Sequence, residues 1–374
     1  MKKIIIVIDG VGDLPVKELG GKTPLEFANT PNMDFLANWG ETGIMYPIKK
    51  GWAPESDQAM ISMLGFDVFK TYTGRGVLEA FGSNIDFKGK VVCRCNFSKF
   101  KNGIITQVQG TMEAQAKRFI QILNKLRKDV KLIHTVGYRS VMLIDTDSSP
   151  RVTNTHPGYV IVKNYCSKAQ PIAGKKLKVR RCKPLVKKAK ETAKIINNFV
   201  VLSEKKLKGF SLITRGTGDK LPKLKKLKGK WALLADMPVE KAVGKLVGMT
   251  VLPKYLDLDK TFNIVKNNFK KFDSFYLQIK GPDMFGHKGL PKEKAKAIEK
   301  IDEMFVSKIR TLPFDVICVT ADHSTPCSIK AHSEDPVPIL IHGKGKDSVK
   351  EFSEKACSKG SLRFFEGRKL LKLI

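Results

Sequence analysis

Short apolar, β-branched runs of about five residues alternate along this chain with longer stretches of helical spacing, and that alternation constrains the fold more than any other feature. It predicts an α/β fold with a largely parallel sheet flanked by helices. Strands are expected at residues 3–8, 210–214, 231–235, 274–279, 315–320 and 338–341. Helices are expected between them at 32–39, 56–63, 239–247, 261–269, 292–309 and 348–358. The middle of the chain has a different texture. It holds strand-like pieces at 91–97, 104–108, 141–145 and 160–162, and helical pieces at 114–126 and 184–199. The expected organisation is a core of residues 1–90 and 203–374 interrupted by a smaller inserted α+β domain, residues 91–202, that serves as substrate or lid domain.

With 374 residues the chain can bury a sizeable core. The first apolar run follows two lysines, as a signal peptide would, but it is short and ends in Asp9, so it is expected to be a buried strand. No stretch approaches the roughly 20 apolar residues that span a bilayer, and no membrane partner is expected. The seven cysteines form no Cys-x-x-Cys pair, which fits a reducing, cytoplasmic compartment.

The net charge is +32, and Lys and Arg fill nine of the sixteen positions from 175 to 190 without one acid. Such density is able to bind nucleic acid through phosphate contacts. Neither aromatic interleaving nor a reader motif accompanies it, so solvated faces and attraction of anionic metabolites are the expected role.

Four distant segments each end a predicted strand or begin a predicted helix, and each carries residues of the kind divalent metals bind. Asp9 ends the first strand and is followed by Gly10, which permits a tight turn. Ser56 opens the helix at 56–63, where a serine ordinarily caps; the alternative is a nucleophilic hydroxyl set against free backbone N–H groups and a positive dipole. Asp283 and His287 stand four apart, so one helical turn points both at a common place. Asp322 and His323 end an apolar strand, where neither side chain belongs without a partner, and His332 follows nine residues later. The chain has six histidines, and three of them fall in these segments beside carboxylates. Three carboxylates, three imidazoles and a hydroxyl suffice for two adjacent cations, a known arrangement for displacement at phosphorus.

These residues resemble the alkaline phosphatase superfamily, and within it the archaeal-type 2,3-bisphosphoglycerate-independent phosphoglycerate mutases. The likeness rests on Asp9 to Asp13, Glu18 to Glu26, Thr30 to Asp34, Tyr72 to Gly76 with Leu78 to Ala80, Arg94 to Phe97, Lys280 to Asp283, Asp322 to Cys327 with His332, and Pro336 to Pro338. It implies an alkaline-phosphatase-like core and a phosphoserine at Ser56. It further implies that Asp9, Ser56, Asp322 and His323 surround one divalent metal and Asp283, His287 and His332 the other, with manganese, zinc, cobalt or magnesium as the ion and no 2,3-bisphosphoglycerate. The implied reaction, part of glycolysis and gluconeogenesis, interconverts 3-phosphoglycerate and 2-phosphoglycerate. A phosphatase, a phosphopentomutase or another phosphotransferase on the same scaffold is the rival enzyme, and a basic nucleic-acid-binding protein the rival of a different class. Three positions depart from the family pattern: Glu55 stands for a usual glycine, Lys288 for a usual acid and His156 for an expected aspartate. A phosphorylated sugar acid calls for fixed cations, and Lys280 heads the candidates, followed by Arg75, Arg94, Arg139 and Arg215, with Asn96 for a phosphoryl oxygen. An oligomer is compatible with all of this.

Overall fold

The computed structural model describes residues 1–171 and 175–374. Its larger sheet has eight strands in the order Thr250–Val251, Trp231–Leu234, Ser274–Ile279, Lys3–Ile8, Val316–Thr320, Val337–His342, Gly40–Tyr46 and Arg363–Glu366. Neighbours are parallel except around Val337–His342, which is antiparallel to both strands beside it. The central strand, Lys3–Ile8, is an unbroken run of Ile and Val from residue 4 onward, all fully buried. A strand with no polar alternation has no solvent face, so helices must cover the sheet. Pro31–Asn38, Ser56–Met63, Pro238–Leu246 and Pro291–Ile301 supply buried side chains to that same core.

The smaller sheet is antiparallel: Ile104–Gln107, Val91–Lys101, Arg139–Ile144 and Val130–His134, with Phe210–Gly218 alongside Val91–Lys101. It has its own apolar core, to which helices Glu113–Leu123 and Lys190–Lys206 contribute. The expected strand at 210–214 therefore exists but pairs in the small sheet, and the chain returns to the large sheet after Gly218 and not at residue 203. An apolar run announces a strand; its partner is a long-range matter that periodicity does not encode.

Other differences have local causes. The expected helix at 184–199 starts at Lys190, because Leu185 and Lys183 are held extended by hydrogen bonds to Arg151 and Thr153. The expected helix at 348–358 shrinks to Glu354–Cys357, capped by the Ser353 side chain. The expected helix at 292–309 breaks its regular spacing at a π turn, Asp302–Val306. There the buried Asp302 carboxylate turns to accept the Asn32 and Met33 N–H groups at the start of helix Pro31–Asn38.

A buried lysine and a half-buried glutamate lock the loops behind the sheet's carboxyl end. Lys294 is fully buried, and its Nζ donates to Asp13 Oδ2 at 2.8 Å and to the Gly12 and Thr325 carbonyls at 3.0 Å. Lys294→Met strands the Asp13 charge and is expected to cost about 3–5 kcal/mol in urea unfolding, with part of the loss recovered in the double variant with Asp13→Asn. An additive double variant would contradict that pairing.

Glu354 accepts from Asp13 N at 3.1 Å and from Thr23 Oγ1 at 2.7 Å, and burial pushes its carboxyl up to about 7 from an ordinary 4.5. The folded chain then holds this proton more tightly than the unfolded chain. The stability that results is present at pH 4.5 and is lost as pH rises through 7. Glu354→Gln should remove this decline, worth about 3 kcal/mol, when urea midpoints at pH 5 and pH 8 are compared. Equal pH slopes in the two proteins would contradict it.

Candidate active site

Three neighbouring parallel strands, Lys3–Ile8, Ser274–Ile279 and Val316–Thr320, end at the same edge of the large sheet, and their next residues are Asp9, Lys280 to Asp283, and Asp322 with His323. Carboxyl ends of parallel strands are where open α/β sheets place ligands. The loops are tied by backbone hydrogen bonds, Asp9 N to the Ile279 carbonyl at 2.9 Å and Asp283 N to the Asp9 carbonyl at 3.0 Å. Gly10 makes the closeness possible. Its φ is +64°, and a Cβ there would lie 2.8 Å from Asp283 Cα.

Around this edge the side chains converge. Asp9 Oδ1 lies 3.1 Å from His323 Nε2, and Asp322 Oδ2 lies 3.4 Å from the same nitrogen. Helix Pro282–Lys288 presents Asp283 and His287 on one face, with His287 Nε2 3.4 Å from Asp283 Oδ1; His332 Nε2 approaches that oxygen to 3.6 Å. His323 and His332 stack with ring centres 3.6 Å apart.

The three imidazoles share one hydrogen-bonding arrangement. His287 Nδ1 faces the Lys330 carbonyl at 3.1 Å and His332 Nδ1 the Pro54 carbonyl at 2.8 Å, so each Nδ1 carries the proton and donates. The Thr325 hydroxyl donates to Asp283 Oδ1 at 2.8 Å, which leaves it to accept from His323 Nδ1 at 3.0 Å. Every Nε2 is thereby turned toward the carboxylates. Burial, with the charge on His323, holds His332 well below the ordinary histidine value, and so neutral.

Ser56 is the first residue of helix Ser56–Met63, and the capping position belongs to Glu55. The capping role considered from the sequence is therefore absent: the Ser56 hydroxyl makes no cap, and its Oγ lies 3.5 Å from His323 Nε2. The first helical hydrogen bond is Ala59 N to the Glu55 carbonyl, so the N–H groups of Ser56, Asp57 and Gln58 have no acceptor within the helix.

A cavity of about 920 Å³ opens in front of Ser56, between the carboxyl end of the large sheet and the small sheet. Asp9, Ser56, Asp283, His287 and His332 line it, as do all six residues proposed from the sequence for substrate: Lys280, Arg75, Arg94, Asn96, Arg139 and Arg215. Asp322 and His323 lie buried beneath. Lys280 is not a free cation. Its Nζ contacts Asp9 Oδ2 at 2.6 Å and Glu240 Oε1 at 2.8 Å, and these carboxylates, outweighing burial, hold its ammonium far above the ordinary lysine value. It anchors Asp9 first.

The metalloenzyme superfamily model matches residues 1–374. The 2,3-bisphosphoglycerate-independent phosphoglycerate mutase of Methanobrevibacter smithii is 34% identical over all of this chain and 97% of its own length. The chain belongs to the metalloenzyme superfamily, with the archaeal 2,3-bisphosphoglycerate-independent phosphoglycerate mutases. The PH0037 protein of Pyrococcus horikoshii superposes with a TM-score of 0.76 at 29% identity, covering 99% of this chain and 95% of that one. The cofactor-independent phosphoglycerate mutase of Thermoplasma acidophilum shares the fold, with a TM-score of 0.59 at 23% identity, covering 100% of this chain and 99% of that one.

A metalloenzyme implies a metal, and the donors here fit one. Asp283, His287 and His332 bring one ligand atom each within 4.8 Å of one another, and so do Asp9, Asp283 and His323. Asp283 thus stands in both groups, where the sequence resemblance assigned it to one. Asp9 Oδ1 is buried without a hydrogen-bond donor, and burial with the Asp9 charge pushes Asp322 up to about 7. Buried carboxylate oxygens and imidazole nitrogens facing one point are the donor set a divalent cation takes. Sequence reasoning about this superfamily site missed Glu240 and the part played by Thr325. They act by orienting Lys280, His323 and Asp283, a role with no spacing signature.

Proposed function

We propose that this chain interconverts 3-phosphoglycerate and 2-phosphoglycerate through a phosphoserine at Ser56, with one divalent cation among Asp9, Ser56, Asp322 and His323 and a second among Asp283, His287 and His332. The observation that carries the reading is an uncapped serine hydroxyl beside three strand-end ligand clusters, facing a cavity walled by buried arginines. When bound, such a pair of cations neutralises phosphoryl charge and acidifies a hydroxyl. Imidazole in both groups favours manganese, zinc or cobalt over magnesium.

Ser56 sits where the free N–H groups of its helix start meet an incoming phosphoryl group. Its Oγ bonds to phosphorus as the bond to the 3-oxygen breaks, and the proton that Ser56 loses ends on the 3-hydroxyl of glycerate. Glycerate then reorients, and its 2-oxygen takes the phosphoryl group as Ser56 regains a proton. The arginine wall holds the carboxylate throughout. Residues 91–218 act as a lid over the cavity, and exclusion of water is what separates a mutase from a phosphatase.

Seven unpaired, buried cysteines support a reducing compartment, the cytoplasm. Among the described residues no helix is long and apolar enough to cross a membrane.

The test is product analysis with 3-phosphoglycerate and manganese. The expected product is 2-phosphoglycerate without matching release of inorganic phosphate. Inorganic phosphate as the sole product would make the chain a phosphatase.

A further inference from the structure

We propose that Glu55 is a specificity residue that limits the number of anionic groups the cavity accepts, an inference that rests on the reading of the cavity as a phosphoglycerate site. Four guanidinium groups line the wall that faces Ser56: Arg75, Arg94, Arg139 and Arg215. Two of them are committed. Arg75 Nη1 contacts Asp57 Oδ1 at 2.6 Å and Glu55 Oε2 at 3.1 Å, and Arg215 Nη1 pairs with the same Glu55 oxygen. Among the described residues neither Arg94 nor Arg139 makes an ion pair with a carboxylate; both lie over the Tyr138 ring, Arg139 Nη1 meets Met237 Sδ, and the Nε of all four guanidinium groups is buried without an acceptor. Glu79, the remaining acid near this wall, accepts from the Thr135 hydroxyl at 2.9 Å.

Two guanidinium groups that lack a carboxylate partner among the described residues match one substrate carboxylate, in the bidentate geometry arginine provides. A substrate with an additional phosphate would need Arg215 and Arg75 as well, and Glu55 already holds them. Glu55 cannot swing aside, because its Oε1 accepts at 2.6 Å from the hydroxyl of Ser167, in the hairpin of strands Tyr159–Lys163 and Cys166–Ala169, and the residue is only 2% exposed. Arg215, for its part, stays aimed at the cavity without Glu55, since its guanidinium lies over the Tyr159 ring at 3.7 Å. Glu55 therefore acts as an internal anion that fills the place of a second phosphate. Neutralising it opens that place.

The experiment is calorimetric titration of the manganese-loaded protein in a Ser56→Ala background, which prevents turnover. 3-Phosphoglycerate and 2,3-bisphosphoglycerate are titrated into the proteins with Glu55 and with Glu55→Gln. Glu55→Gln is expected to bind the bisphosphate at least about tenfold tighter while its affinity for the monophosphate moves by less than about threefold. The gain should vanish in Glu55→Gln with Arg215→Met. Ser167→Ala keeps every charge and unties Glu55, so it should move the same affinity ratio in the same direction by a smaller factor and serves if Glu55→Gln folds poorly. Equal shifts for both ligands, or a gain that survives loss of Arg215, would overturn the proposal. Turnover of 3-phosphoglycerate by the unmodified enzyme is measured separately, so failure of the mutase reading is recognised independently of the binding ratio.

Discussion

Ser56→Ala is expected to lower kcat for 3-phosphoglycerate by about 10⁴-fold or more while leaving manganese binding within about tenfold. The hydroxyl is the group proposed to bond to phosphorus: its Oγ lies 3.5 Å from His323 Nε2, whereas the other hydroxyls among the described lining residues, on Thr106, Tyr138 and Tyr159, come from the segment between residues 91 and 218. The fold should tolerate the change. Ser56 makes no capping bond, so the helix loses none of the stabilisation that a true N-cap would contribute. Equal thermal stability with lost turnover is the expected pair of results, read by unfolding and by product assay. Retained turnover in the alanine variant would remove Ser56 from the chemistry.

Asp283→Asn carries the second large effect. Asp283 is the side chain common to both groups of candidate donors, and its Oδ1 already accepts from the Thr325 hydroxyl, so asparagine keeps the shape and the hydrogen bond but removes the charge. Loss of a cation's worth of phosphoryl neutralisation, several kcal/mol, corresponds to a fall of about 10³-fold in kcat/KM. Metal content by elemental analysis should fall below that of the unmodified protein. His287→Ala should be milder, because that imidazole is the most exposed of the candidate donors and belongs to one group only. If His287→Ala proved the more damaging of the two, the sharing of Asp283 between groups would be wrong.

Much of this site could be read in the chain because each cluster sits immediately after a strand that announces itself. Asp9, Asp283 and Asp322 are legible as strand-end acids because Lys3–Ile8, Ser274–Ile279 and Val316–Thr320 are apolar runs. The adjacency of those strands, which makes the clusters one site, is long-range pairing that periodicity does not contain. The same blindness misplaced Phe210–Gly218, whose run looks like a core strand and pairs with Val91–Lys101. Strand Gly40–Tyr46 went unseen because glycine and threonine weaken its apolar pattern, although it is paired on both sides in the large sheet. Lys280 was recognisable as a functional cation, but its partner Glu240 lies forty residues away on helix Pro238–Leu246, so its commitment to Asp9 and Glu240 became visible only in three dimensions.

The central claim is a covalent phosphoryl group on Ser56, formed beside ligands gathered from three strand ends. Its most direct measurement is acid-quenched mixing of the manganese-loaded enzyme with 3-phosphoglycerate, followed by intact-mass and peptide analysis. A single phosphoryl group on the peptide that contains Ser56 is expected, absent when the metal is chelated. Turnover to 2-phosphoglycerate with no phosphorylated peptide, or with the phosphoryl group on another residue, would contradict it.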